Sequence, residues 1–166
     1  MASNIKLKEI KHPFWQVLGI GALAGMRTSA GPAVASQVLS HHYSKRLKSS
    51  PLNFMQSKTV ANVLTALIVV ELIGDKLPST PNRTQARGLA FRGLSGALAG
   101  ASIYKASGNN VLTGTLIGAA AAVASTFISF GLRKSIVKNT SITDPIVGAL
   151  EDALVIGVGV GLARIA

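Results

Sequence analysis

The chain contains no cysteine, few aromatic residues and few charges. Without cysteine there can be no disulfide, thiol nucleophile or cysteine metal site. Of the 166 residues, 14% are charged and 5% are aromatic, whereas 48% are hydrophobic. A mean hydropathy of +0.43 with so few aromatics is typical of membrane helices that pack through small side chains.

Several motifs are also missing. No P-loop occurs, so ATP hydrolysis by this polypeptide is excluded, and no nucleic-acid motif accompanies the formal net charge of +11. The basic residues fall mainly between apolar runs, a pattern that indicates membrane topology and contact with lipid headgroups. His41 and His42 have no acidic neighbour to complete a metal site. We therefore expect membrane lipids as partners, and no nucleic acid, metal or cofactor.

Apolar runs define the domain organisation. Residues 1–13 form a basic N-terminus, expected to be cytoplasmic, and residues 14–166 form a single transmembrane domain. Compared with the roughly 20 residues that cross a bilayer as a helix, the runs predict an all-α polytopic helix bundle of about five spans. They are Phe14 to Leu39, Val60 to Leu77, Gly88 to Ala106, Val111 to Leu132 and Pro145 to Ala166. With five crossings, the Lys and Arg distribution favours an external C-terminus.

The first run is interrupted by G-M-R-T-S-A-G-P, from Gly25 to Pro32. This composition predicts a broken or kinked helix. One interpretation is a proline kink satisfied by Thr28 and Ser29, with Arg27 extending to the interface. The other is a discontinuous helix that lines a cavity. Residues 14–39 can therefore cross once or form a broken or re-entrant helix.

The second run carries Glu71 and Asp75, whose i, i+4 spacing places them on one helical face. Carboxylates inside a membrane span indicate an ion, proton or substrate path, unless the helix ends near Glu71 and both are in water. Arg83 follows the turn, and Arg92 falls inside the third run, where it requires an anion or a carboxylate. An internal ion pair with Glu71 or Asp75 is the structural alternative.

The last run carries Glu151 and Asp152. Gly148, Asp152 and Val155 share a face, so Asp152 can pack against a neighbouring helix. The candidate substrate or ion path therefore comprises Arg27, Thr28, Glu71, Asp75, Arg83, Arg92, Glu151 and Asp152, and no catalytic residue is identified.

Four G-x-x-x-G pairs occur in the apolar runs, a spacing that lets helix backbones approach closely. Four pairs in a short chain predict a compact bundle and a homo-oligomer. They are Gly21 with Gly25, Gly96 with Gly100, Gly114 with Gly118, and Gly157 with Gly161.

Three motifs resemble those of a known family: G-x-x-A-G-M-R-T-x-x-x-P, E-x-x-x-D-K-L-P-x-x-P-x-R-T and the late E-D-A-L. Across residues 14–166 the chain resembles small bacterial integral membrane proteins of the uncharacterised domain of unknown function 4126 type. The resemblance implies a multi-pass protein of the bacterial inner membrane. It implies no activity, substrate or catalytic residue.

Three functions remain open. The first is a small transporter or channel that uses intramembrane carboxylates and arginines to pass or couple an ion or small anionic solute. The second is a non-catalytic assembly or lipid-organising protein, in which the charges only pair with each other. The third is a Mg²⁺-dependent phospholipid-processing enzyme with carboxylate metal ligands.

Overall fold

The computed structural model describes Ile10 and residues 12–74, 85–140 and 142–166, and within these ranges the chain is all-helical. A 3₁₀ helix, Pro51–Gln56, precedes α4. The α-helices are α1 (Pro13–Met26), α2 (Ala30–His41), α3 (Lys45–Lys48), α4 (Lys58–Gly74), α5 (Ala86–Ser107), α6 (Val111–Asn139) and α7 (Asp144–Ile165).

Local sequence signals set several helix ends. α5 ends at Ser107, and the next residue, Gly108, has a φ of 79°, a conformation that glycine adopts readily. α6 begins after Asn110, whose side chain accepts hydrogen bonds from the amides of Leu112 and Thr113. α6 continues seven residues beyond the predicted end at Leu132, because the lysines and arginine of the expected loop are good helix formers.

The predicted break in the first apolar run lies between α1 and α2, where the chain reverses direction. Arg27 has extended dihedral angles, with φ −138° and ψ 121°. A Cβ added to Gly31 would lie 2.6 Å from Cβ of Ala24 and 3.3 Å from the carbonyl oxygen of Ile20. Ile20 lies eleven residues before Gly31, so the two helices pack side by side as an antiparallel hairpin.

Contacts with this hairpin fix the direction of the long helices. At one end of the molecule, which we call the His42 end, the start of α1 and the end of α2 lie beside the end of α5. α4 starts at this end, since its later residue Glu71 bonds to the hairpin turn. α7 finishes here as well, since Leu162 packs on Gly19 while the earlier Asp152 reaches the turn. The opposite end, at the junction of α6 and α7, is called the Arg133 end.

The hairpin is shorter than the helices around it. At 1.5 Å per residue, α1 and α2 extend about 21 Å and 18 Å, whereas α7 extends about 33 Å and α6 about 43 Å. Thr126 and Asp152, which bond at the turn, lie near the middle of α6 and α7. The turn is therefore enclosed by the sides of longer helices.

Two helices, α6 and α7, are long and apolar enough to cross a membrane, and α1 is apolar but shorter. Only 28% of the residues in the most apolar window of α6, and 22% in that of α7, are buried within the chain. Their outward faces are dominated by large aliphatic and aromatic side chains. The expected bundle of five spans is not confirmed by this test.

Glycines allow three helices to meet closely. A Cβ on Gly96 would collide with the carbonyl oxygen of Gly118, and a Cβ on Gly100 with that of Gly114. α1 packs on the same surface of α6, since a Cβ on Gly21 would also meet Gly118. Three of the four predicted glycine pairs are therefore used inside the bundle, and they hold the hairpin against α5 and α6.

Candidate functional site

Polar groups gather where the hairpin turns, and we call this cluster the polar centre. It contains backbone and side-chain groups from the turn between α1 and α2 and from the four longer helices, α4 to α7. Its members are Arg27, Thr28, Ser29, Glu71, Arg92, Ser95, Ser125, Thr126 and Asp152.

Glu71 binds the start of α2. The Thr28 amide donates to one carboxylate oxygen at 2.7 Å, and the Ser29 amide donates to the other at 2.8 Å. The Ser29 hydroxyl adds a third hydrogen bond at 2.6 Å. Free amides and the helix dipole make a helix N-terminus attractive to anions, and here the anion is supplied by α4. α4 continues to Gly74, so Glu71 lies within the helix and is half-buried.

Arg27 and Asp152 form a buried ion pair across the centre. Arg27 Nε donates to Asp152 Oδ1 at 3.0 Å, and Nη2 donates to the same oxygen. The Arg27 side chain is 3% exposed and that of Asp152 is 15% exposed. Asp152 of α7 therefore bonds to the turn between α1 and α2.

The end of α1 is satisfied by donors from α5 and α6. Arg92 Nη1 and the Thr126 hydroxyl each donate to the Gly25 carbonyl at 3.0 Å. The Ser125 hydroxyl donates to the Ala22 carbonyl at 2.8 Å. The last carbonyls of a helix have no intrahelical partner, so side chains from neighbouring helices stabilise this buried terminus. Ser95 similarly donates to the carbonyl of Thr28 in the turn.

Glu151 lies apart from Asp152 although the two are adjacent in sequence. Successive helical residues point about 100° apart. Glu151 accepts a hydrogen bond from Arg133 Nη1 at 3.3 Å, and Arg133 also binds Asp144 with two hydrogen bonds of 2.7 Å. This second charge cluster links α6 to α7 near the Arg133 end.

Of the predicted site residues, Arg27, Thr28, Glu71, Arg92 and Asp152 meet at the polar centre. Asp75 and Arg83 lie outside the described residues. Thus the turn, the acid of α4, the arginine of α5 and the acid of α7 converge, although they are widely separated in sequence.

Sequence reasoning missed the hydroxyl groups that α5 and α6 contribute. No site residue was assigned to α6, yet Ser125 and Thr126 bond to the end of α1. Ser95 was not selected either. The available signal was a hydroxyl within an apolar run, because buried hydroxyls in membrane helices commonly bond to a neighbouring helix.

The polar centre pairs donors with carboxylates. Within the described ranges, no three His, Asp or Glu side chains are grouped as metal ligands. The centre presents the amides of Thr28 and Ser29, the Ser29 hydroxyl and the guanidinium groups of Arg27 and Arg92 as donors, and the carboxylates of Glu71 and Asp152 balance the two guanidinium charges. A carboxylate, that of Glu71, occupies the amide pair.

An apolar groove reaches the border of the polar centre. It has a volume of about 560 Å³ and runs between α2, α4 and α7. Ala30 and Leu72, which adjoin Ser29 and Glu71 in sequence, line it beside the centre, while His41 and Arg164 line it towards the His42 end. Gln37 and Thr65, joined by a 3.1 Å hydrogen bond, are polar groups along its length.

A family model described as a domain of unknown function, DUF4126, matches residues 15–164. This match confirms the resemblance predicted from the three motifs. No curated protein and no solved structure matches the chain.

Proposed function

The chain belongs to the DUF4126 family, whose description assigns no activity, and from the geometry of the polar centre we propose a small membrane transporter or channel. Its solute is an ion or a small organic anion. The observation that carries the proposal is the α2 N-terminus, which holds a carboxylate with three hydrogen bonds in the same cluster as two buried arginines.

The hairpin turn supports anion recognition. In transporters with discontinuous helices, helix N-termini inside the bundle bind anionic groups of the substrate. Here the Thr28 and Ser29 amides bind Glu71. In the proposed cycle an anionic solute replaces the Glu71 carboxylate on these amides. The displaced Glu71 then takes up a proton or a cation.

The groove supports a route to this site. It follows α2 from the His42 end to the residues beside Ser29 and Glu71. Its walls are mainly apolar, whereas the polar centre supplies cations and donors. This combination favours an organic anion with an apolar body over a bare inorganic ion.

The outward faces of α6 and α7 support a multi-pass location in the bacterial inner membrane. The basic residues also support a cytoplasmic His42 end. Among the described residues, this end has six and the Arg133 end has four, and an excess of Lys and Arg is typical of the cytoplasmic side. They are Lys45, Arg46, Lys48, Lys58, Lys105 and Arg164, against Arg87, Arg133, Lys134 and Lys138.

Glu71→Gln tests the proposal. The glutamine amide keeps the shape of the glutamate side chain, but it has no negative charge and cannot take up a proton. Protein in liposomes that contain a pH dye would be given a panel of small carboxylates and inorganic ions. We expect E71Q to reduce flux at least about ten-fold, which corresponds to about 1.4 kcal/mol.

Asp144→Asn is the matched control, because Asp144 is 58% exposed and lies at the Arg133 end. We expect D144N to transport as well as the unchanged protein. If no member of the panel crosses the membrane, or if E71Q and Asp152→Asn transport normally, the transport proposal is wrong.

A non-catalytic assembly role is favoured by a different observation: the charged groups of the polar centre are bonded to one another and to the hairpin turn. In that role Glu71, Arg27 and Asp152 only stabilise the hairpin. E71Q would then lower stability without changing any flux. A homo-oligomer formed through a glycine pair would use Gly157 and Gly161, which have open space around them. The phospholipid enzyme gains no support, because its metal ligands are not grouped in the described ranges.

A further inference from the structure

A second cavity lies at the His42 end and is separate from the polar centre. Its volume is about 410 Å³, and it is enclosed by the start of α1, the segment from α2 into α3, and the end of α5. It is open to the outside of the chain. Among the side chains that line it are Pro13, His42, Lys45, Arg46, Ser107 and Asn109.

Hydrogen bonds hold the basic wall of this cavity in place. The Ser44 hydroxyl donates to the Ala106 carbonyl at 2.9 Å, and Arg46 Nη1 donates to the Ser107 carbonyl at 3.1 Å. The Ser44 amide donates to Gln56 Oε1 at 2.6 Å. The bonds donated by the Ser44 hydroxyl and by Arg46 satisfy carbonyls at the C-terminal end of α5, which is the negative end of the helix dipole. They therefore reduce the repulsion between this helix end and an anion.

His42 presents an unsatisfied nitrogen beside this wall. Its Nδ1 lies 2.9 Å from the Val38 carbonyl, which can only accept, so Nδ1 carries a proton. Its Nε2 is buried without a hydrogen-bond partner in the described chain. Buried polar atoms are nearly always bonded, so Nε2 is an atom whose partner the described residues do not supply.

Gln16 of α1 is a second residue with unsatisfied polar atoms, and it lies outside the cavity lining. It is 3% exposed, and both polar atoms of its amide are also without partners among the described residues. Gln16 lies one helical turn from Pro13, which lines the cavity. The unsatisfied groups of α1 and α2 therefore lie towards the same end of the hairpin.

Charge and depth identify the class of ligand. Lys45 and Arg46 line the cavity, and no acidic side chain of the described chain does. Trp15 is 66% exposed on the first turn of α1, and Tyr43 is 47% exposed in the cavity wall. Exposed Trp and Tyr are enriched where a membrane meets water, which is also the depth of lipid phosphates.

We propose that this cavity binds the phosphate of an anionic phospholipid headgroup. Lys45 and Arg46 supply the positive charge, and His42 lines the same wall. Ile10, Pro13 and Ala106 provide apolar contacts for the lipid beside its headgroup. The proposal rests on the membrane location proposed above, and it is independent of transport.

The test is lipid binding by the full chain in detergent. Native mass spectrometry would measure retention of phosphatidylglycerol and phosphatidylcholine by the unchanged protein and by K45Q/R46Q. We expect the unchanged protein to prefer phosphatidylglycerol, and we expect K45Q/R46Q to lower that affinity about ten-fold or more.

The matched control is K48Q/K58Q, which removes two exposed lysines from the same end without altering the cavity wall. We expect its affinity for phosphatidylglycerol to stay within about three-fold of the unchanged protein, since diffuse surface charge acts weakly. Equal losses in both double variants, or no preference between the two lipids, would overturn the proposal. Displacement of the lipid by equimolar inorganic phosphate or glycerol phosphate would also overturn it, because the site would then take soluble phosphate. These readouts require no flux, so they separate this proposal from the transport proposal.

Discussion

The two buried arginines at the hairpin turn differ in their partners. Arg27 bonds to the carboxylate of Asp152, whereas Arg92 bonds to the backbone carbonyl of Gly25. Arg27 is therefore coupled to α7 through charge, and Arg92 supports the end of α1 through its donor geometry. A substitution at Asp152 should change the stability of the turn more than a substitution at an exposed carboxylate.

We predict that Asp152→Ala lowers the free energy of unfolding by about 3 kcal/mol, because it removes a charged partner from a buried guanidinium. Asp144→Ala, which alters the exposed pair with Arg133, should cost about 1 kcal/mol or less. Thermal unfolding of the two variants in the same detergent provides the measurement. Equal losses of stability would show that burial does not distinguish the two ion pairs.

At the scale of elements, the glycine pairs divide into two classes. Those of α1, α5 and α6 face another helix at a distance that leaves no room for a methyl group. Gly157 and Gly161 of α7 have nothing within 4 Å of an added Cβ. The same sequence pattern therefore marks a packed interface in three places and an open face in the fourth.

We predict opposite effects of the same substitution in these two classes. Gly96→Ala should destabilise the protein by about 1–3 kcal/mol, because its methyl group meets the backbone of α6. Gly157→Ala should be neutral or stabilising by up to about 1 kcal/mol, since alanine has the higher helix propensity. Unfolding midpoints of the two variants in one detergent compare the effects directly. A destabilising G157A would reveal a partner on the open face of α7.

At the scale of the whole molecule, the reversal at residues 27–29 changes the expected topology. Five crossings would have placed the two termini of the domain on opposite sides. In the structure α1 begins and α7 finishes at the same end, because α2 returns to the side from which α1 started. The hairpin does not reach the Arg133 end.

The absence of cysteine makes this topology measurable. We predict that a single cysteine at Ser49, at the His42 end, reacts with a membrane-impermeant maleimide only after cells are opened. A cysteine at Asn139, at the Arg133 end, should react in intact cells whose outer membrane has been permeabilised. Reaction of Ser49 and Asn139 cysteines from the same side would contradict the arrangement of helices described above.

The sequence allowed prediction of the helices better than prediction of their arrangement. α5 and α7 match the predicted runs within two residues, because glycine, proline and polar caps mark the ends of apolar segments. The break in the first run was predicted from its composition. Whether the chain continued or reversed there was left open, since that depends on the surfaces of α5 and α6.

The site was predictable in its charges and not in its pairings. Intramembrane acids and arginines were selected because charge in an apolar run is costly. The partner of Glu71 is a pair of backbone amides 42 and 43 residues away, and the partner of Asp152 is 125 residues away. Local spacing carries no information about contacts at such separations. For the same reason, the glycine pairs predicted close packing without showing which helices meet.

The short hairpin also has a consequence for how the protein is made. Arg27 leaves the ribosome 125 residues before Asp152, and the Gly25 carbonyl precedes Thr126 by 101 residues. Until α6 and α7 are synthesised, the turn lacks these partners, and burying its polar groups in lipid would be costly. With the membrane location proposed above, we therefore expect the nascent hairpin to stay at the surface of the bilayer or beside the insertion machinery. It would enter the membrane only when the last two helices arrive, so the first residues of the domain would be the last to insert.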